Sequence, residues 1–379
     1  MQSKICVLQV IPNLDVSGAS QGCIDIANFL SQQNHESYIL TYSGDKIFEV
    51  NDYKNKVINA SVHSKNPIII IFNILKIINL IKKLNINIVH ARSRAPAWSS
   101  YLACKITGTK FITTFHGTYN YNNSLKKFYN SIMLRSDCTI AISRFIEDQI
   151  RSKYSIKPKN LQLIQRGIDV NYFNAQNIKH EKINELKKKY NFSEDTIKIL
   201  LPGRLTKWKG QLILIKAIKE IIKKTKIKIS VIFVGQDDNL DLKNKLIYQI
   251  KKLKINNTFH FAGVSNDMVS FYGLSDIVVS TSTDPEAFGR IAVEAQSMGK
   301  FVIASNHGGS TETIINEKTG YLYSPQDHID LADKIIQSIK QKKYCSSSVS
   351  IAGINNVRKN YTVLEMCKKT LDVYKKIIL

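Results

Sequence analysis

The chain has 379 residues, which is too long for one ordinary hydrophobic core and predicts two domains. Hydrophobic residues make up 44% and charged residues 22%, which is typical of a folded chain and excludes a disordered one. The formal net charge of +24 raises the question of an anionic partner, either nucleic acid or a membrane surface.

The excess positive charge is spread along the chain rather than gathered in a tail. Only nine of the 54 basic residues are arginines, and the chain is rich in Ile, Asn and Lys, so part of the charge is explained by compositional bias. Loose attraction to an acidic membrane surface is a second explanation. Nucleic acid is not expected as a partner, because no RNA- or DNA-binding motif accompanies the charge.

The cysteines and the amino terminus bear on the compartment. The six cysteines are scattered, without a C-x-x-C pair or a neighbouring His cluster, which predicts reduced thiols and no zinc site. The amino terminus has an apolar run of only seven residues, Ile5 to Ile11, which indicates a buried strand rather than a signal peptide. We therefore expect a cytoplasmic protein, either free or at the inner face of the plasma membrane.

In the first half, short apolar runs alternate with helix-length segments, the pattern of a parallel sheet with crossover helices. Strands are predicted near 4–11, 37–42, 86–91, 110–115, 137–142 and 160–165. Helices are predicted near 20–33, 68–84, 96–106, 122–134 and 144–153. The segment 68–84 is apolar enough to suggest a membrane span, but polar residues at about every third position favour a buried amphipathic helix with one solvated stripe.

The region 166–182 breaks this rhythm and is interpreted as an interdomain linker that runs into a charged helix. The alternation then restarts, with strands near 197–202, 228–234, 257–261, 276–280 and 301–304. Helices are expected near 209–224, 239–254, 289–299 and 326–341, and a last amphipathic helix ends the chain. The pattern predicts an α/β protein with two doubly wound, Rossmann-like domains that face each other across a cleft. Their boundaries are 1–168 and 169–355, with 356–379 packing back on the first domain.

Two glutamates, Glu286 and Glu294, stand eight positions apart around Phe288-Gly289-Arg290. On one continuous helix they would be about 80° apart and would not converge on a small ligand. Pro285 favours a helix start, so we predict a loop that holds Glu286 and a helix that begins near Gly289 and carries Glu294. Such acids can bind two parts of an elongated ligand, and the helix N-terminus between them favours a phosphate.

Other candidate residues follow the ends of predicted strands, where ligands bind in open α/β sheets. Gly203, Arg204 and Lys209 follow one strand, and the two cations there can neutralise a diphosphate. In the first half, the small residues Ser17-Gly18-Ala19-Ser20 let a phosphate or sugar approach a helix N-terminus. This loop is not a G-x-G-x-x-G dinucleotide fingerprint.

Two histidines and a glycine pair complete the set of candidates. His90 ends a strand and is interpreted as a hydrogen-bonded structural residue, whereas His116, followed by Gly117, is favoured as a functional one. Gly308 and Gly309 follow a strand in the second half, where they form either a plain turn or a place for close approach to a ligand.

Together, the E-x7-E pattern from Glu286 to Glu294, the segment GRLTKWKG and the downstream HGG resemble the family 4 glycosyltransferases of the GT-B fold, over nearly the whole chain. Two features depart from the usual family pattern. The amino-terminal loop lacks the common Gly-Gly pair, and Arg290 stands where a small aliphatic residue often follows Phe-Gly. We expect Arg290 either to contact a phosphate or to pair with a carboxylate of the site.

The resemblance implies a role for each candidate residue. Arg204 and Lys209 would hold the donor diphosphate, helped by the backbone near Phe288 and Gly289. Glu286 would contact the transferred sugar and Glu294 the nucleotide ribose. His116 resembles the histidine that reaches the sugar from the first domain. The site residues expected to bind the nucleotide sugar are Gly18, Gly203, Arg204, Lys209, Phe288, Gly289, Arg290 and Glu294.

The family further implies a retaining sugar transfer, of hexosyltransferase type, from a nucleotide diphosphate sugar, with UDP as the expected nucleotide. By the same resemblance, the transfer is expected to need neither a metal nor another cofactor. The expected acceptor is a cell-envelope glycan or a lipid-linked saccharide, such as lipopolysaccharide core, with peripheral contact to an anionic membrane. Two alternatives stay open: a non-hydrolysing nucleotide-sugar epimerase, and a catalytically inactive basic protein that docks on membranes.

Overall fold

The computed structural model describes residues 4–119, 123–237 and 239–379, and only the backbone of residues 341–347. The chain divides into two compact units. The first unit combines Met1–Gly167 with the C-terminal segment Val363–Leu379, and the second is Ile168–Thr362. The second unit extends past the predicted limit at 355, because its last helix continues to Asn360.

The first unit is built on a parallel sheet of seven strands in the order β3-β2-β1-β4-β5-β6-β7. The strands are β1 (Cys6–Val10), β2 (Glu36–Thr41), β3 (Val57–Asn59), β4 (Ile88–Ala91), β5 (Lys110–Phe115), β6 (Cys138–Ala141) and β7 (Leu161–Leu163). The helices before the second unit are α1 (Gly18–Gln32), α2 (Tyr53–Lys56), α3 (Pro67–Lys83), α4 (Arg94–Thr107), α5 (Ser124–Ser131) and α6 (Arg144–Lys153). The order reverses between β1 and β4, so the loops after these strands flank the position where such sheets bind ligands.

The second unit has a parallel sheet of six strands in the order β10-β9-β8-β11-β12-β13. The strands are β8 (Ile197–Pro202), β9 (Ile229–Val234), β10 (Phe259–Gly263), β11 (Ile277–Ser280), β12 (Phe301–Ser305) and β13 (Tyr321–Tyr323). The helices that follow α6 are α7 (His180–Lys189), α8 (Gln211–Lys224), α9 (Leu240–Lys252), α10 (Met268–Leu274), α11 (Arg290–Ser297), α12 (Ser310–Thr313), α13 (His328–Asn360) and α14 (Val363–Ile378). Here the order reverses between β8 and β11.

Helix α14 completes the core of the first unit. Met366, Cys367, Leu371 and Tyr374 are buried against strands and helices of that unit. Full burial of one large apolar side chain contributes about 1.5–3 kcal/mol, so this helix is a substantial part of the stability of the first unit. The buried hydroxyl of Tyr374 is 2.6 Å from His90 Nδ1, which fixes the helix to strand β4.

Most predicted long elements are present, and the differences have local causes. The strands β3 and β13 and the helices α2, α10 and α12 have three to seven residues, too few to give a periodic signal. The helix predicted near 122–134 begins at Ser124, and Asn122 lies outside the described residues. Inside the predicted linker 166–182, Ile168 already pairs with Thr362 and Phe173 is buried, so the second unit begins there.

The amphipathic helix predicted at 68–84 is present as helix α3, and Asn73 is the one residue of its predicted solvated stripe that is buried. Helix α3 buries Asn73, whose side chain donates to the Ser61 carbonyl oxygen at 3.1 Å. On the opposite side Phe72 and its apolar neighbours are exposed. The other polar residues of the stripe, Lys76, Asn79, Lys82 and Lys83, are exposed as predicted. The spacing of the polar residues therefore predicted the helix and most of its solvated side, but not the exposure of the apolar residues beside it. None of the helices in the described stretches of the chain is both long and apolar enough to cross a membrane.

Candidate functional site

The loops that follow β8 and β11 carry the main cluster of predicted site residues. These strands are neighbours in the second sheet, and their carboxyl ends lie at its switch point. After β8 the backbone turns at Gly203, whose φ of 137° is unfavourable for residues with a side chain. A Cβ at this position would lie 3.4 Å from the stem of Lys209, so the glycine allows that lysine to pack across the strand end.

Lys209 and Glu286 form an ion pair between these two loops. The distance from Lys209 Nζ to Glu286 Oε1 is 2.6 Å, and the side chains are only 14% and 15% exposed. Ser282 Oγ donates to the same carboxylate oxygen at 2.5 Å. Because the pair is largely shielded from water, a new anion in this place would have to exchange with a carboxylate that is already bound to the lysine.

Between the two glutamates the chain turns at Gly289 and enters helix α11. Gly289 has φ 84° and precedes Arg290, the first helical residue, so the helix begins where the sequence predicts it. Phe288, just before the turn, is buried and stacks edge-on with Tyr361 at a centroid distance of 5.7 Å. Gly289 is buried, and a Cβ there would lie 3.0 Å from Thr313 Oγ1, so the turn requires a glycine. Backbone N–H groups of a first helical turn attract anions.

Glu294 lies in the second turn of α11 and is held on both sides. Tyr272 donates its hydroxyl to Oε2 at 2.7 Å, and Arg290 Nε donates to Oε1 at 2.5 Å. Burial and the charge of Glu294 raise the pKa of Tyr272 well above its usual range, so the phenol stays a donor. Of the two predicted alternatives for Arg290, the structure has the pairing with a carboxylate.

The glycine pair at 308–309 clamps the loop that carries Glu286. The Gly309 N–H donates to the Glu286 carbonyl oxygen at 2.7 Å. A Cβ on Gly309 would lie 2.5 Å from the backbone of Phe288, and one on Gly308 would lie 2.5 Å from the Glu286 carbonyl oxygen. This clamp is more than the plain turn that the sequence left open as one alternative.

Arg204 stands apart from the paired residues. It lies in the loop after β8, its side chain is exposed, and its carbonyl oxygen accepts a hydrogen bond from Gln211 Nε2 at 3.0 Å. Within the part of the chain that the structure describes, its guanidinium forms no ion pair or hydrogen bond. The second unit therefore brings Lys209 to Glu286 and Arg290 to Glu294, and leaves Arg204 exposed in the loop after the same strand.

The predicted residues of the first unit, Gly18 and His116, are joined by Arg166. This buried arginine donates from Nη2 to the Gly18 carbonyl oxygen, and its Nη1 is 3.0 Å from His116 Nδ1. Gly22 also belongs to this contact, since a Cβ there would collide with the guanidinium. Ser17 caps helix α1 by accepting from the Ser20 N–H at 3.1 Å.

Burial determines the charge states in the first unit. The pKa of His116 is well below its usual range because of burial, with Arg166 and Arg92 adding repulsion. Since Arg166 donates to Nδ1, the neutral ring carries its proton on Nε2, and this buried nitrogen has no hydrogen-bond partner among the described residues. His90 is buried between Tyr374 and Thr114 Oγ1, which is 2.7 Å from its Nε2, so its interpretation as a structural residue is confirmed.

Sequence reasoning missed two residues of these clusters. Arg166 was assigned to the linker, although an arginine in a lysine-rich chain was an available hint of a specific geometry. Tyr272 lies on the short helix α10, and nothing in its spacing pointed to Glu294. Among the described residues, no three His, Cys, Asp or Glu side chains are gathered as a metal site would require.

Known families match both units of the chain. The family described as Glycosyltransferase Family 4 matches residues 16–172, and the one described as Glycosyl transferases group 1 matches residues 182–352. A solved structure of a glycosyltransferase from Rickettsia africae is 37% identical, with a TM-score of 0.90 over 99% of each chain. The chain belongs to the family 4 glycosyltransferases. This membership confirms the predicted family, the GT-B fold and a transferase activity.

Other relatives of this family 4 glycosyltransferase are more distant. An uncharacterized glycosyltransferase of Methanocaldococcus jannaschii is 27% identical over 68% of this chain and 63% of its own length. The N-acetyl-alpha-D-glucosaminyl L-malate synthase of Bacillus anthracis is 23% identical over 86% of each chain. The lipopolysaccharide 1,2-N-acetylglucosaminetransferase of Salmonella typhimurium is 31% identical over 46% of this chain and 47% of its own. The structure of Anabaena HepE in complex with UDP-glucose is 20% identical, covers 98% of this chain and 100% of that one with a TM-score of 0.81, and shows the fold alone.

Proposed function

We propose that the chain transfers a sugar, with retention of configuration, from a uridine diphosphate sugar to a glycan or glycolipid of the cell envelope, such as lipopolysaccharide core. One observation carries this proposal. Glu286 and Glu294 lie on either side of the start of helix α11, each held by a cation, Lys209 or Arg290. This arrangement offers acids for hydroxyl groups and N–H groups for phosphate within one continuous segment.

Each residue then has a role in the proposed donor complex. Lys209 and the exposed Arg204 neutralise the diphosphate, together with the backbone at Phe288 and Gly289. Glu286 accepts hydrogen bonds from the transferred sugar, and Glu294 accepts from the ribose. In the first unit, the Nε2–H of His116 is a donor for the sugar, and Gly18 leaves the start of helix α1 open.

The proposed chemistry uses no nucleophile from the protein. The bond between the anomeric carbon and the diphosphate oxygen breaks while the acceptor oxygen bonds to the same face of the sugar. The acceptor proton passes to the departing diphosphate oxygen. The protein orients the two substrates and stabilises the leaving charge, and these two effects contribute most of the rate enhancement in such catalysis. We propose that Arg204, Lys209 and the helix start provide this stabilisation without a metal ion.

Relatives support the nucleotide and the acceptor class. HepE binds UDP-glucose, according to its structure, and the Salmonella relative is named for a step on lipopolysaccharide. The net charge of +24 supports peripheral contact with an anionic membrane, and with it a location at the cytoplasmic face of the membrane. Nucleic acid is not part of the proposal.

A binding titration tests the donor site. Purified protein in chelator is titrated with UDP, GDP, ADP and CMP, alongside Arg204→Ala and Glu294→Ala. We expect tight binding of UDP, weakened about tenfold or more in both variants, because each loses one charged or charge-assisted contact. The matched control is Arg358→Ala, which removes an exposed arginine of helix α13 in the same unit and should leave binding unchanged.

Two results would contradict the proposal. Binding of none of the four nucleotides would favour an inactive, docking protein. Nucleotide binding followed by conversion of a UDP sugar to its epimer, without transfer to any acceptor, would favour the epimerase.

A further inference from the structure

Helix α3 exposes an apolar stripe to solvent. Ile68, Ile71, Phe72 and Leu75 are 64%, 57%, 66% and 58% exposed. Their spacing of three and four residues places them on one side of the helix, opposite the buried Asn73 and Ile77. Isolated exposed apolar residues are common on proteins, but a continuous stripe of four large ones indicates a surface that something else covers.

Helix α5 extends this surface within the same unit. Its Leu125 and Phe128 are 81% and 58% exposed. The ring of Phe128 lies 5.4 Å from that of Trp98 on helix α4, and α4 also packs against α3. Lys65, just before α3, lies 5.8 Å above the ring of Tyr129 on α5. We define the α3–α5 surface by its exposed apolar side chains, which are Ile68, Ile71, Phe72, Leu75, Leu125 and Phe128.

The stretch of sequence that forms this surface carries charges of one sign only. From residue 53 to residue 136 the sequence contains 13 lysines and arginines and no aspartate or glutamate. All of α3, α4 and α5 lies in this stretch. Exposed lysines flank the apolar side chains on both helices, Lys76, Lys82 and Lys83 on α3 and Lys126 and Lys127 on α5. Exposed apolar residues bordered by lysines are the composition of helices that lie in the interface of an anionic membrane.

We propose that the α3–α5 surface docks the protein on an anionic lipid bilayer. The apolar side chains enter the boundary between headgroups and acyl chains, while the lysine ammonium groups remain at the headgroup phosphates. A second copy of the chain fits less well, because a two-fold contact would place two lysine-rich surfaces against each other. The inference rests on the proposed function in one respect, that an envelope or lipid-linked acceptor is presented at a membrane.

Vesicle co-sedimentation tests this surface. The full chain is mixed with vesicles of phosphatidylcholine alone and of phosphatidylcholine with phosphatidylglycerol. We expect binding to the anionic vesicles only, weakened by salt. The double variant Phe72→Ser/Leu75→Ser should bind at least about tenfold more weakly, since two apolar side chains no longer leave water. Lys126→Gln/Lys127→Gln should weaken binding to anionic vesicles by roughly fivefold per lysine.

Matched controls come from the second unit. Leu240→Ser removes an apolar side chain that is 67% exposed, and Lys251→Gln/Lys252→Gln removes two exposed lysines; both should bind vesicles like the parent chain. Equal binding by all variants would overturn the proposal. So would a lipid-free dimer, seen by light scattering, that Phe72→Ser/Leu75→Ser dissociates.

UDP titration of the parent chain separates the membrane-docking proposal for the α3–α5 surface from the proposed donor site for a UDP sugar. A chain that binds UDP but no anionic vesicle contradicts the α3–α5 surface and leaves the donor site intact. A chain that binds anionic vesicles but no UDP contradicts the donor site and leaves the surface intact. The serine double variant should lose vesicle binding and keep UDP binding, because its two changes lie on helix α3 of the first unit, whereas Arg204, Lys209 and Glu294, which are proposed to bind the diphosphate and the ribose, belong to the second unit.

Discussion

The two units place polar residues at the carboxyl edges of similar parallel sheets, but they control charge in different ways. In the second unit, Lys209 and Arg290 each face a carboxylate, Glu286 and Glu294, at 2.6 and 2.5 Å. In the first unit, the described contacts of Arg166 at the site are a backbone carbonyl and the neutral ring of His116. The second site is balanced by ion pairs, whereas burial holds the histidine of the first site neutral.

This difference predicts how each unit responds to a charge substitution and to a change of pH. Ion pairs can be exchanged for a charged ligand, so a change of charge in the second unit should act mainly on function. A histidine that is kept neutral by burial makes stability depend on protonation, so the first unit should respond mainly to pH. The predictions below test each side of this comparison.

The largest effect is expected from Glu286→Gln. The amide keeps the shape of the side chain but removes the charge that balances Lys209 and that would accept from the sugar. We expect sugar transfer to fall about 100-fold or more, as for the loss of a preorganised electrostatic group. The measurement is the initial rate with a UDP sugar and a membrane-derived acceptor. Asp284→Asn, an exposed acid two residues earlier in the same loop, is the matched control and should retain the parent rate.

A rate close to that of the parent chain in Glu286→Gln would show that the ion pair with Lys209 is only structural. The second unit would then not differ from the first in the way proposed, and the role of Glu286 toward the sugar would be withdrawn.

A steric change should have a smaller but clear effect. Gly309→Ala places a methyl group 2.5 Å from the backbone of Phe288, so the loop that carries Glu286 must shift. Overpacking of this kind costs about 1–3 kcal/mol, and we expect both a lower melting temperature and weaker UDP binding. Gly117→Ala in the first unit is the control, because its methyl group would meet no atom of the described residues within 4 Å. Equal melting temperatures for the two variants would mean that the loop adapts without cost and does not clamp Glu286.

Arg290→Ala should sharpen the comparison within the second unit. The structure pairs Arg290 with Glu294, and the side chain is 39% exposed. Partly exposed pairs of this kind contribute about 0.2–1 kcal/mol, so UDP affinity should fall by only a few fold. The UDP affinity of Arg290→Lys should lie between those of the parent chain and Arg290→Ala, because lysine keeps the charge but not the planar guanidinium. A loss of tenfold or more in Arg290→Ala would instead identify a direct phosphate contact, the other alternative that the sequence left open.

The sequence predicted well what depends on neighbours along the chain. The turn at Gly289 and the place of Glu286 and Glu294 followed from Pro285 and from a spacing of eight residues. Contacts between distant positions were not readable in the same way. Tyr272 reaches Glu294 across 22 positions and Arg166 reaches His116 across 50, and in each case an element too short or too irregular to predict brings them together.

The burial of Asn73 in helix α3 was unpredictable for a related reason. Its side chain donates to the Ser61 carbonyl oxygen, and that partner is in a loop that precedes the helix. The exposed apolar residues of the helix were not predicted either, because both of its sides are apolar and hydrophobicity alone does not decide which one is buried.

A change that appears only as the pH falls is expected in the first unit and concerns His116. Burial and the two nearby arginines lower its pKa in the folded state below the value of about 6.5 in the unfolded chain. Below that pH the unfolded state takes up a proton that the folded state refuses, so stability is lost as the pH falls through this window. The His116→Gln variant lacks this titrating group, so its free energy of unfolding should decrease less steeply as the pH falls. The difference in slope should be up to about 1.4 kcal/mol per pH unit.

The two tryptophans allow this effect to be measured in one unit at a time. Trp98 belongs to the first unit and Trp208 to the second, so urea unfolding of Trp208→Phe, followed by fluorescence, reports on the first unit alone. The comparison is between this background and the same background with His116→Gln, from about pH 7.5 to about pH 5.5. The glutamine oxygen can still accept from Arg166, so the contact itself is kept. If the free energy of unfolding depends on pH in the same way with and without His116→Gln, His116 is not held neutral by the fold. The proposed difference between the two units would then be wrong for the first unit.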